Sequence, residues 1–299
     1  MIEKMAVLFP GQGAQKVGML SRVLACAAGR ALLEEAEDVL GYRITSLIQK
    51  GPLVELSRTV HAQAAIVLTS YALWNLAHSN FNKPSFYAGH SIGEYTALLA
   101  AGALSLSDAL KLAQLRGKIM DEEIKRNKLK GAMLVLTIDD HELRDLERLL
   151  DPSLVSIALF NSKRQIVLSG DYQELERIRP KLAGLSWIQS IKTLSHVSAA
   201  FHSPQMRGAM QRFREEGKEL LGRIKAVDRE TVILSNVTGR PHNFEDLDSV
   251  KESMVNQICW PVRWSDTIAY LDDCKFVVVG PTGRILRGFM PKEVETINE

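Results

Sequence analysis

The feature that most constrains this chain is the pentapeptide Gly-His-Ser-Ile-Gly at residues 89–93, which separates two segments of different character. Residues 85–88 predict a short buried strand, and residues 94–101 predict a helix that ends at Gly102. A sharp turn from strand to helix needs glycine two residues before and after the serine, because a Cβ there would collide with neighbouring backbone. The turn holds the Ser91 hydroxyl at a helix N-terminus, where free N–H groups favour developing negative charge. The pattern predicts a nucleophilic serine, although an ordinary turn with an inert serine has the same spacing.

Composition and charge exclude several classes of protein. A net charge of +2 over 299 residues, without a long basic run, argues against a nucleic-acid-binding protein. No apolar stretch approaches the ~18 residues of a membrane span, and the run at residues 5–9 is too short for a signal peptide. Three widely spaced cysteines, Cys26, Cys259 and Cys274, indicate neither a disulfide framework nor a metal site. We therefore expect a cytoplasmic, monomeric protein that uses no metal and no cofactor.

Strands and helices alternate along the first part of the chain. Residues 6–9 predict a buried strand, and residues 61–78 predict a helix with a broad apolar face. After the pentapeptide, Ser107 and Asp108 are expected to cap a second long helix at residues 109–125. This order predicts a doubly wound, α/β-hydrolase-like core built on a parallel sheet.

The middle of the chain follows the order strand, helix, strand, strand, helix, strand. The predicted strands are residues 131–137, 155–159, 165–169 and 188–193, and the predicted helices are residues 141–150 and 173–182. This order predicts a ferredoxin-like subdomain at residues 130–195, inserted into a core formed by residues 1–129 and 196–299. The core is expected to resume with a helix near 204–221, a strand at 232–234, a helix near 250–258 and a strand at 276–279.

A serine nucleophile needs a neighbouring base, which is usually a histidine. His90 is adjacent to Ser91, but neighbouring side chains on a tight turn rarely face each other. In hydrolase-like folds the base follows the nucleophile along the chain. His202 ends a run of small and apolar residues and precedes a helix-entry signal, so it is well placed to reach the serine, although a capping or packing histidine would look the same. The candidates that follow the serine are His141, His196, His202 and His242.

The turn at residues 11–13 has the sequence Gly-Gln-Gly and follows the first predicted strand. Because parallel strands end at the same edge of a sheet, this turn and the pentapeptide are expected to face each other. The amide of Gln12 would then donate to an acyl oxyanion beside the backbone N–H of Ile92. A glutamine that only stabilises its own turn is an equally good interpretation.

Arg116 interrupts an apolar helix face, four residues after Leu112 and four before Met120. An arginine on such a face pairs with an internal acid, extends to solvent or binds an anionic ligand. Pairing with an internal aspartate or glutamate is the usual outcome. A guanidinium also suits bidentate binding of a carboxylate, so both interpretations stay open.

Together these motifs resemble the malonyl-CoA:acyl-carrier-protein transacylase family, including the acyltransferases of polyketide assembly lines, over essentially the whole chain. The opening motif reads Phe-Pro-Gly-Gln-Gly-Ala-Gln at 9–15, the nucleophile motif Gly-His-Ser-Ile-Gly-Glu-Tyr at 89–95 and the arginine helix Leu-Arg-Gly-Lys-Ile-Met at 115–120. Shorter matches follow in order at 131–133 (Gly-Ala-Met), 161–165 (Asn-Ser, with Gln at 165), 201–204 (Phe-His-Ser-Pro), 235–239 (Ser-Asn-Val-Thr-Gly) and 261–264 (Pro-Val-Arg-Trp).

The resemblance implies a reaction and a set of roles. Malonyl-CoA would acylate the serine, and the phosphopantetheine thiol of an acyl carrier protein would accept the malonyl group. The family needs no triad carboxylate, since a main-chain carbonyl orients the histidine. The implied roles are Ser91 as nucleophile, His202 as base and then acid, Gln12 and the Ile92 N–H as oxyanion hole, Arg116 as carboxylate clamp, Asn161 as pocket lining and the Gln257 carbonyl as orienting group.

Two positions bear on how far the resemblance extends. The family's late Glu-x-Gly-Pro motif reads Val-Val-Gly-Pro at residues 278–281, which is expected to loosen a structural contact far from the chemistry. Residues 197–202, Val-Ser-Ala-Ala-Phe-His, resemble polyketide-type, often free-standing, acyltransferases. In that comparison Phe201 is typical of malonyl-selecting enzymes, because its ring leaves little room for an α-methyl branch. The pathway is therefore expected to be polyketide or fatty-acid biosynthesis.

Two other functions are compatible with the same fold. An acyl hydrolase would clear acyl groups from carrier proteins, but such relatives tend to lack the clamp arginine that Arg116 resembles. A catalytically silent carrier-protein docking module would have no need for Ser91, His202 and Gln12 together. The sequence therefore favours a transferase that binds neither nucleic acid nor membrane.

Overall fold

The computed structural model describes residues 4–126, 130–139, 143–194, 197, 199–290 and 294–298, which form strands and helices around two sheets. Within these residues the strands are β1 (Met5–Phe9), β2 (Phe86–Gly89), β3 (Gly131–Ile138), β4 (Val155–Ser162), β5 (Gln165–Asp171), β6 (Ile188–Thr193), β7 (Val232–Ile233), β8 (Lys275–Val279) and β9 (Glu295–Ile297). The helices are α1 (Ser21–Leu24), α2 (Ala27–Leu40), α3 (Ile44–Lys50), α4 (Leu53–Leu56), α5 (Thr59–Ala77), α6 (Gly93–Ala100), α7 (Leu106–Arg126), α8 (Leu143–Leu149), α9 (Tyr172–Ala183), α10 (Arg207–Glu216), α11 (Lys218–Leu221), α12 (Leu247–Asn256), α13 (Trp264–Tyr270) and α14 (Arg284–Arg287). Short 3₁₀ turns lie at His78–Asn80 and Pro204–Met206.

The larger sheet is parallel and has the strand order β7-β2-β1-β8-β9. Its central strands are apolar along their whole length, as expected when helices cover both faces. In the register of β1 with β2, Phe9 lies opposite Gly89, so both strands end at the same level. The loop that follows β1 and the turn that follows β2 are therefore neighbours. The main-chain N–H of His90 donates to the Phe9 carbonyl at 2.9 Å, which ties the two together.

The two longest helices, α5 and α7, pack against each other and cover one face of the parallel sheet. The prediction that Ser107 and Asp108 cap the second of these helices was wrong, because α7 begins at Leu106. Ser105 is the capping residue: its Oγ accepts from the Asp108 N–H at 3.1 Å and donates to the Asp108 carboxylate at 2.6 Å. The earlier start places Arg116 midway along a 21-residue helix.

The smaller sheet is antiparallel and has the strand order β4-β5-β3-β6. With α8 and α9 it forms the predicted strand-helix-strand-strand-helix-strand unit around an apolar core of its own. The predicted fold class, a parallel α/β core with a ferredoxin-like unit, is confirmed. The proposed boundaries at residues 130 and 195 stay a prediction, because residues 127–129, 195–196 and 198 lie outside the described residues.

Strand β4 joins the smaller sheet to the core. Its Phe160 N–H donates to the Val262 carbonyl at 2.9 Å, and the Val262 N–H donates to the Ala158 carbonyl at 2.8 Å. Val262 precedes α13 and lies in the core cluster beneath the parallel sheet. This connection brings the end of β4, and with it Asn161, towards the turn that follows β2.

The remaining differences from prediction concern short elements. The helix expected near residues 204–221 is divided into a 3₁₀ turn, α10 and α11, with Gly217 between the two helices. Strand β9 was not predicted, because a three-residue edge strand carries too little pattern to be recognised. Among the helices that the structure describes, none is both long enough and apolar enough to cross a bilayer.

Candidate active site

Ser91 lies in a strained turn between β2 and α6. Its φ is +50°, in the left-handed region that non-glycine residues rarely occupy. The steric reason for the two flanking glycines is confirmed: a Cβ on Gly89 would lie 1.9 Å from the Gly93 carbonyl carbon, and a Cβ on Gly93 would lie 2.4 Å from the Phe9 oxygen. Only glycine allows the strand, the turn and α6 to approach this closely.

His202 is the histidine that contacts the serine. The distance from Ser91 Oγ to His202 Nε2 is 2.8 Å, and His202 Nδ1 lies 2.8 Å from the Gln257 carbonyl and 3.2 Å from the Trp260 carbonyl. Carbonyl oxygens only accept, so Nδ1 carries the proton and Nε2 accepts from the serine hydroxyl. His202 also has a positive φ, +54°. Both members of the pair are therefore held in backbone conformations that the surrounding structure must enforce.

The surroundings of His202 keep its imidazole neutral. Burial lowers its pKa to about 3, helped by the positive charge of Arg116 and by His90, while the hydrogen bonds to the Trp260 and Gln257 carbonyls act in the opposite direction. A neutral imidazole with a free Nε2 lone pair can take the proton of the Ser91 hydroxyl.

The other candidate histidines do not reach Ser91. His141 and His196 lie outside the described residues. His242 contacts the carboxylate of Glu94 at 2.6 Å. His90 contacts Asn161 through its Nε2 at 2.9 Å, and burial lowers its pKa to about 4. Local sequence signals did not distinguish these histidines, because only the packing of distant segments decides which one faces the serine.

Gln12 and Ile92 flank the Ser91 hydroxyl from two loops. Gln12 lines the cavity beside Ser91, and its Nε2 lies 3.5 Å from Thr59 Oγ1. The turn that contains Gln12 is held by Gln15, whose Oε1 accepts from the Gly13 N–H at 2.7 Å. Ile92 immediately precedes α6, where backbone N–H groups have no partner within the helix. These two groups are donors at the site where an acyl oxygen would become negative.

Arg116 is buried without a counter-ion. Its side chain is 1% exposed, and its Nε and Nη2 have no hydrogen-bond partner among the described residues. Its guanidinium lies 5.9 Å from the centre of the Tyr95 ring, and no ion pair to an acid is present in this part of the chain. Burial lowers its pKa, partly offset by Tyr95 and Glu94. A buried cation with unused donors is costly on its own and creates a strong site for an anion.

A cavity of about 360 Å³ connects these groups. It lies between the parallel core and the smaller sheet, whose strands contribute apolar side chains such as Met133 and Val167. Of the predicted site residues, Ile92 and Gln257 are absent from the lining, and both are fully buried behind it. The predicted residues that line the cavity are Gln12, Ser91, Arg116, Asn161, Phe201 and His202.

Asn161 links the smaller sheet to the elbow. Its Oδ1 accepts from His90 at 2.9 Å, and its Nδ2 donates to Gln165 Oε1 at 2.9 Å. Asn161 is 3% exposed, so this polar chain is sheltered from water. The contact holds one wall of the cavity against the turn that carries Ser91.

Sequence reasoning missed a buried polar cluster behind the elbow. Glu94 is fully buried, and its carboxylate contacts Asn236, His242 and Gln257. The signal was present, because Glu94 lies in the nucleophile motif and Asn236 in the Ser-Asn-Val-Thr-Gly motif. Nothing in the local pattern indicates, however, that segments about 140 residues apart meet there.

The segment at residues 278–281 is closer to the cavity than expected. Val278 is fully buried in the core beneath the parallel sheet. A Cβ on Gly280 would lie 2.4 Å from the Pro10 ring, and Pro10 directly precedes Gly11, which lines the cavity. The expectation that this departure lies far from the chemistry was therefore wrong, because β8 runs beside β1 and ends at the same edge of the sheet.

Comparisons with known proteins agree with this geometry. Residues 7–279 match the family model described as "Acyl transferase domain". The chain is 34% identical to "Malonyl CoA-acyl carrier protein transacylase" of Bacillus subtilis, over 97% of this chain and 90% of that protein. It is 34% identical to "Polyketide biosynthesis malonyl CoA-acyl carrier protein transacylase BaeC" of Bacillus velezensis, over 95% and 94%. An acyl carrier protein S-malonyltransferase from Vibrio cholerae superimposes with a TM-score of 0.86 at 29% identity, over 99% and 97% of the two chains. A malonyl-transacylase solved with a type II polyketide acyl-carrier protein superimposes with a TM-score of 0.85 at 31% identity, over 98% and 94%.

Proposed function

The chain belongs to the acyl transferase domain family, and on that premise we propose that it moves a malonyl group from malonyl-CoA to the phosphopantetheine thiol of an acyl carrier protein. The observation that carries the proposal is the position of Arg116. A buried guanidinium with unused donors lines the same cavity as the Ser91–His202 pair. That combination suits an acyl group with a carboxylate at its far end.

In the first half-reaction, Ser91 Oγ attacks the thioester carbonyl of malonyl-CoA while His202 Nε2 takes the hydroxyl proton. The Ile92 N–H and the Gln12 amide stabilise the negative oxygen of the tetrahedral intermediate. The intermediate then collapses, the carbon–sulfur bond breaks, and the thiolate of coenzyme A receives the proton from His202. The product is a malonyl ester on Ser91, and Arg116 holds its carboxylate.

The second half-reaction runs the same steps with a different thiol. His202 takes the proton of the phosphopantetheine thiol, and the thiolate attacks the carbonyl of the seryl ester. The ester bond breaks, and the Ser91 oxygen regains a proton from His202. The Gln257 carbonyl keeps the imidazole in the required tautomer throughout. No cofactor is needed, because the thioester is already an activated acyl group.

Phe201 and Asn161 shape the acyl pocket. Phe201 lines the cavity next to His202 in sequence, where its ring would contact a substituent on the α-carbon of the acyl group. A malonyl group has no such substituent, and a methylmalonyl group has a methyl. Asn161 holds the wall of the smaller sheet against the elbow.

The similarity to both fatty-acid and polyketide transacylases supports a role in one of these pathways, as a free-standing enzyme that serves separate carrier proteins. We place it in the cytoplasm as a monomer that binds neither nucleic acid nor membrane. The net charge of +2 supports the absence of a nucleic-acid partner.

The test is to incubate the protein separately with malonyl-, methylmalonyl- and acetyl-CoA, weigh the acyl-enzyme by intact mass spectrometry and then add a holo acyl carrier protein. We expect a malonyl adduct on the wild type, none on Ser91→Ala, and transfer of the adduct to the carrier. Hydrolysis that outpaces transfer at saturating carrier protein would indicate an acyl hydrolase. A malonyl adduct on Ser91→Ala would contradict the proposed nucleophile.

A further inference from the structure

Glu94 is a fully buried carboxylate in the first turn of α6 that accepts hydrogen bonds from four directions. Its Oε2 accepts from the Asn236 Nδ2 at 2.6 Å, from the Asn236 main-chain N–H at 3.2 Å and from the Gln257 Nε2 at 2.5 Å. Its Oε1 accepts from the His242 Nε2 at 2.6 Å. Every group that faces the carboxylate is a donor, which satisfies a buried charge without a metal or solvent.

Asn236 connects this carboxylate to the serine. While its Nδ2 donates to Glu94 and to the Gly89 carbonyl, its Oδ1 accepts from the Ser91 main-chain N–H at 2.8 Å. Glu94 therefore determines which way the Asn236 amide is oriented, because a reversed amide would place its oxygen against the carboxylate. The orientation of that amide in turn fixes the backbone of Ser91.

Gln257 connects the same carboxylate to the histidine. Its side-chain amide donates to Glu94, and its main-chain carbonyl accepts the Nδ1 proton of His202 at 2.8 Å. Gln257 is fully buried at the end of α12, and the other contact of His202 Nδ1, the Trp260 carbonyl, is longer at 3.2 Å. The position of the Gln257 residue thus decides where the imidazole is held.

We propose that Glu94 is a positioning residue that aligns the Ser91–His202 pair through Asn236 and Gln257. The proposal rests on the proposed function, in which that pair carries the acyl group. Ser91 and His202 belong to segments 111 residues apart, and both have strained backbone conformations. One buried carboxylate bonded to the residue behind each of them couples the two segments. In this protein the acid acts on the histidine through a glutamine residue and never touches the imidazole.

The charge of Glu94 also reaches the acyl pocket. It raises the pKa of Arg116, against the larger effect of burial, although no hydrogen bond or ion pair joins the two side chains in the described structure. The carboxylate therefore stabilises the Arg116 cation from behind and leaves its donors free for the substrate.

The test compares Glu94→Gln with His242→Gln. Glu94→Gln keeps the side-chain shape, but it removes the charge and points a donor at Asn236 or Gln257. His242→Gln removes a bond to the same carboxylate and leaves the contacts with Asn236 and Gln257 in place. For each variant we would measure the thermal unfolding midpoint, kcat and KM for malonyl-CoA, and the rate at which a fluorophosphonate reagent labels Ser91.

Misplacement of reacting groups by about 1 Å can cost on the order of 10²-fold in rate. We therefore expect Glu94→Gln to lower kcat and the labelling rate by roughly 10-fold to 10²-fold, with little change in KM. His242→Gln should retain the labelling rate even if its unfolding midpoint falls as far. Equal labelling by wild type and folded Glu94→Gln would overturn the proposal, as would losses in both variants that follow only their unfolding midpoints.

Gln257→Met tests the route to the histidine separately, since it keeps the main-chain carbonyl and removes the side-chain donor. It should also lower the labelling rate, and the double variant with Glu94→Gln should lose less than the product of the two single losses. Gln257→Met alone carries the test if Glu94→Gln does not fold, and full labelling of that variant would contradict the route. Labelling uses no malonyl-CoA, so a wild type that is labelled but transfers no malonyl group would refute only the proposed function.

Discussion

Removing the charge of Arg116 should separate malonyl-CoA from acetyl-CoA as substrates. The side chain is 1% exposed, and two of its three nitrogens have no partner in the described structure. A malonyl carboxylate that reaches it is withdrawn from water, and the guanidinium is its compensation. Breaking such a buried charge pair costs about 2–5 kcal/mol, which corresponds to a loss of roughly 30-fold to 5,000-fold in kcat/KM for malonyl-CoA.

Three variants isolate the cause of the loss. Arg116→Ala removes both charge and volume, Arg116→Met removes the charge and keeps an apolar chain of similar length, and Arg116→Lys keeps a charge without the planar fork. Alanine and methionine should lose malonyl activity to a similar extent, and lysine should recover only part of it. Replacing a buried, unpaired cation by methionine should not lower the free energy of unfolding, because the desolvation cost disappears with the charge.

The assay is kcat/KM for both donors with the wild type and the three variants. Acetyl-CoA has no carboxylate, so its kcat/KM should change by only a few-fold and may rise in Arg116→Met, where the cavity becomes less polar. Equal losses for malonyl- and acetyl-CoA would show that Arg116 supports the fold and does not select the substrate. The assignment of a dicarboxylic acyl group would then be wrong.

Four further predictions follow from the same geometry. His202→Ala should stay folded and lose about 10²-fold to 10⁴-fold in acylation rate, the usual cost of a lost general base, and unchanged acylation would assign that role elsewhere. Because burial, Arg116 and His90 lower the pKa of His202 to about 3, kcat/KM for malonyl-CoA should stay level from about pH 8 to about pH 5, and a loss with a midpoint near the ordinary value of about 6.5 would contradict this environment. On unfolding His202 regains that ordinary pKa and takes up a proton, so its burial should make the free energy of unfolding fall as the pH drops below about 6.5. Phe201→Ser should improve methylmalonyl-CoA relative to malonyl-CoA by up to about 10²-fold, the range over which one methyl group is discriminated, and an unchanged ratio would place the selecting contact elsewhere. Gly93→Ala should abolish acylation and lower the unfolding midpoint, since its Cβ would lie 2.4 Å from the Phe9 oxygen, and a stable, active variant would show that the elbow can relax.

The elbow could be predicted from sequence because its cause is local. Two glycines around Ser91 are needed wherever a strand turns sharply into a helix, and the clash distances at Gly89 and Gly93 show the same steric limit. The alternation of strands and helices, and the inserted strand-helix-strand-strand-helix-strand unit, follow in the same way from the periodicity of apolar residues. Capping was less predictable, because Ser105 and Ser107 offer similar local chemistry and only the start of α7 distinguishes them.

Tertiary structure decided which distant groups meet. From sequence, Arg116 had an internal ion pair as its usual interpretation, and the structure leaves its Nε and Nη2 without a partner beside the cavity. Glu94 passed unnoticed, because its partner Gln257 is 163 residues away. Local patterns record the conformational preferences of neighbouring residues, whereas burial, charge compensation and the pairing of His202 with Ser91 depend on which segments pack together. The sequence thus determined the turn that presents the serine, and only the folded chain decided what surrounds it.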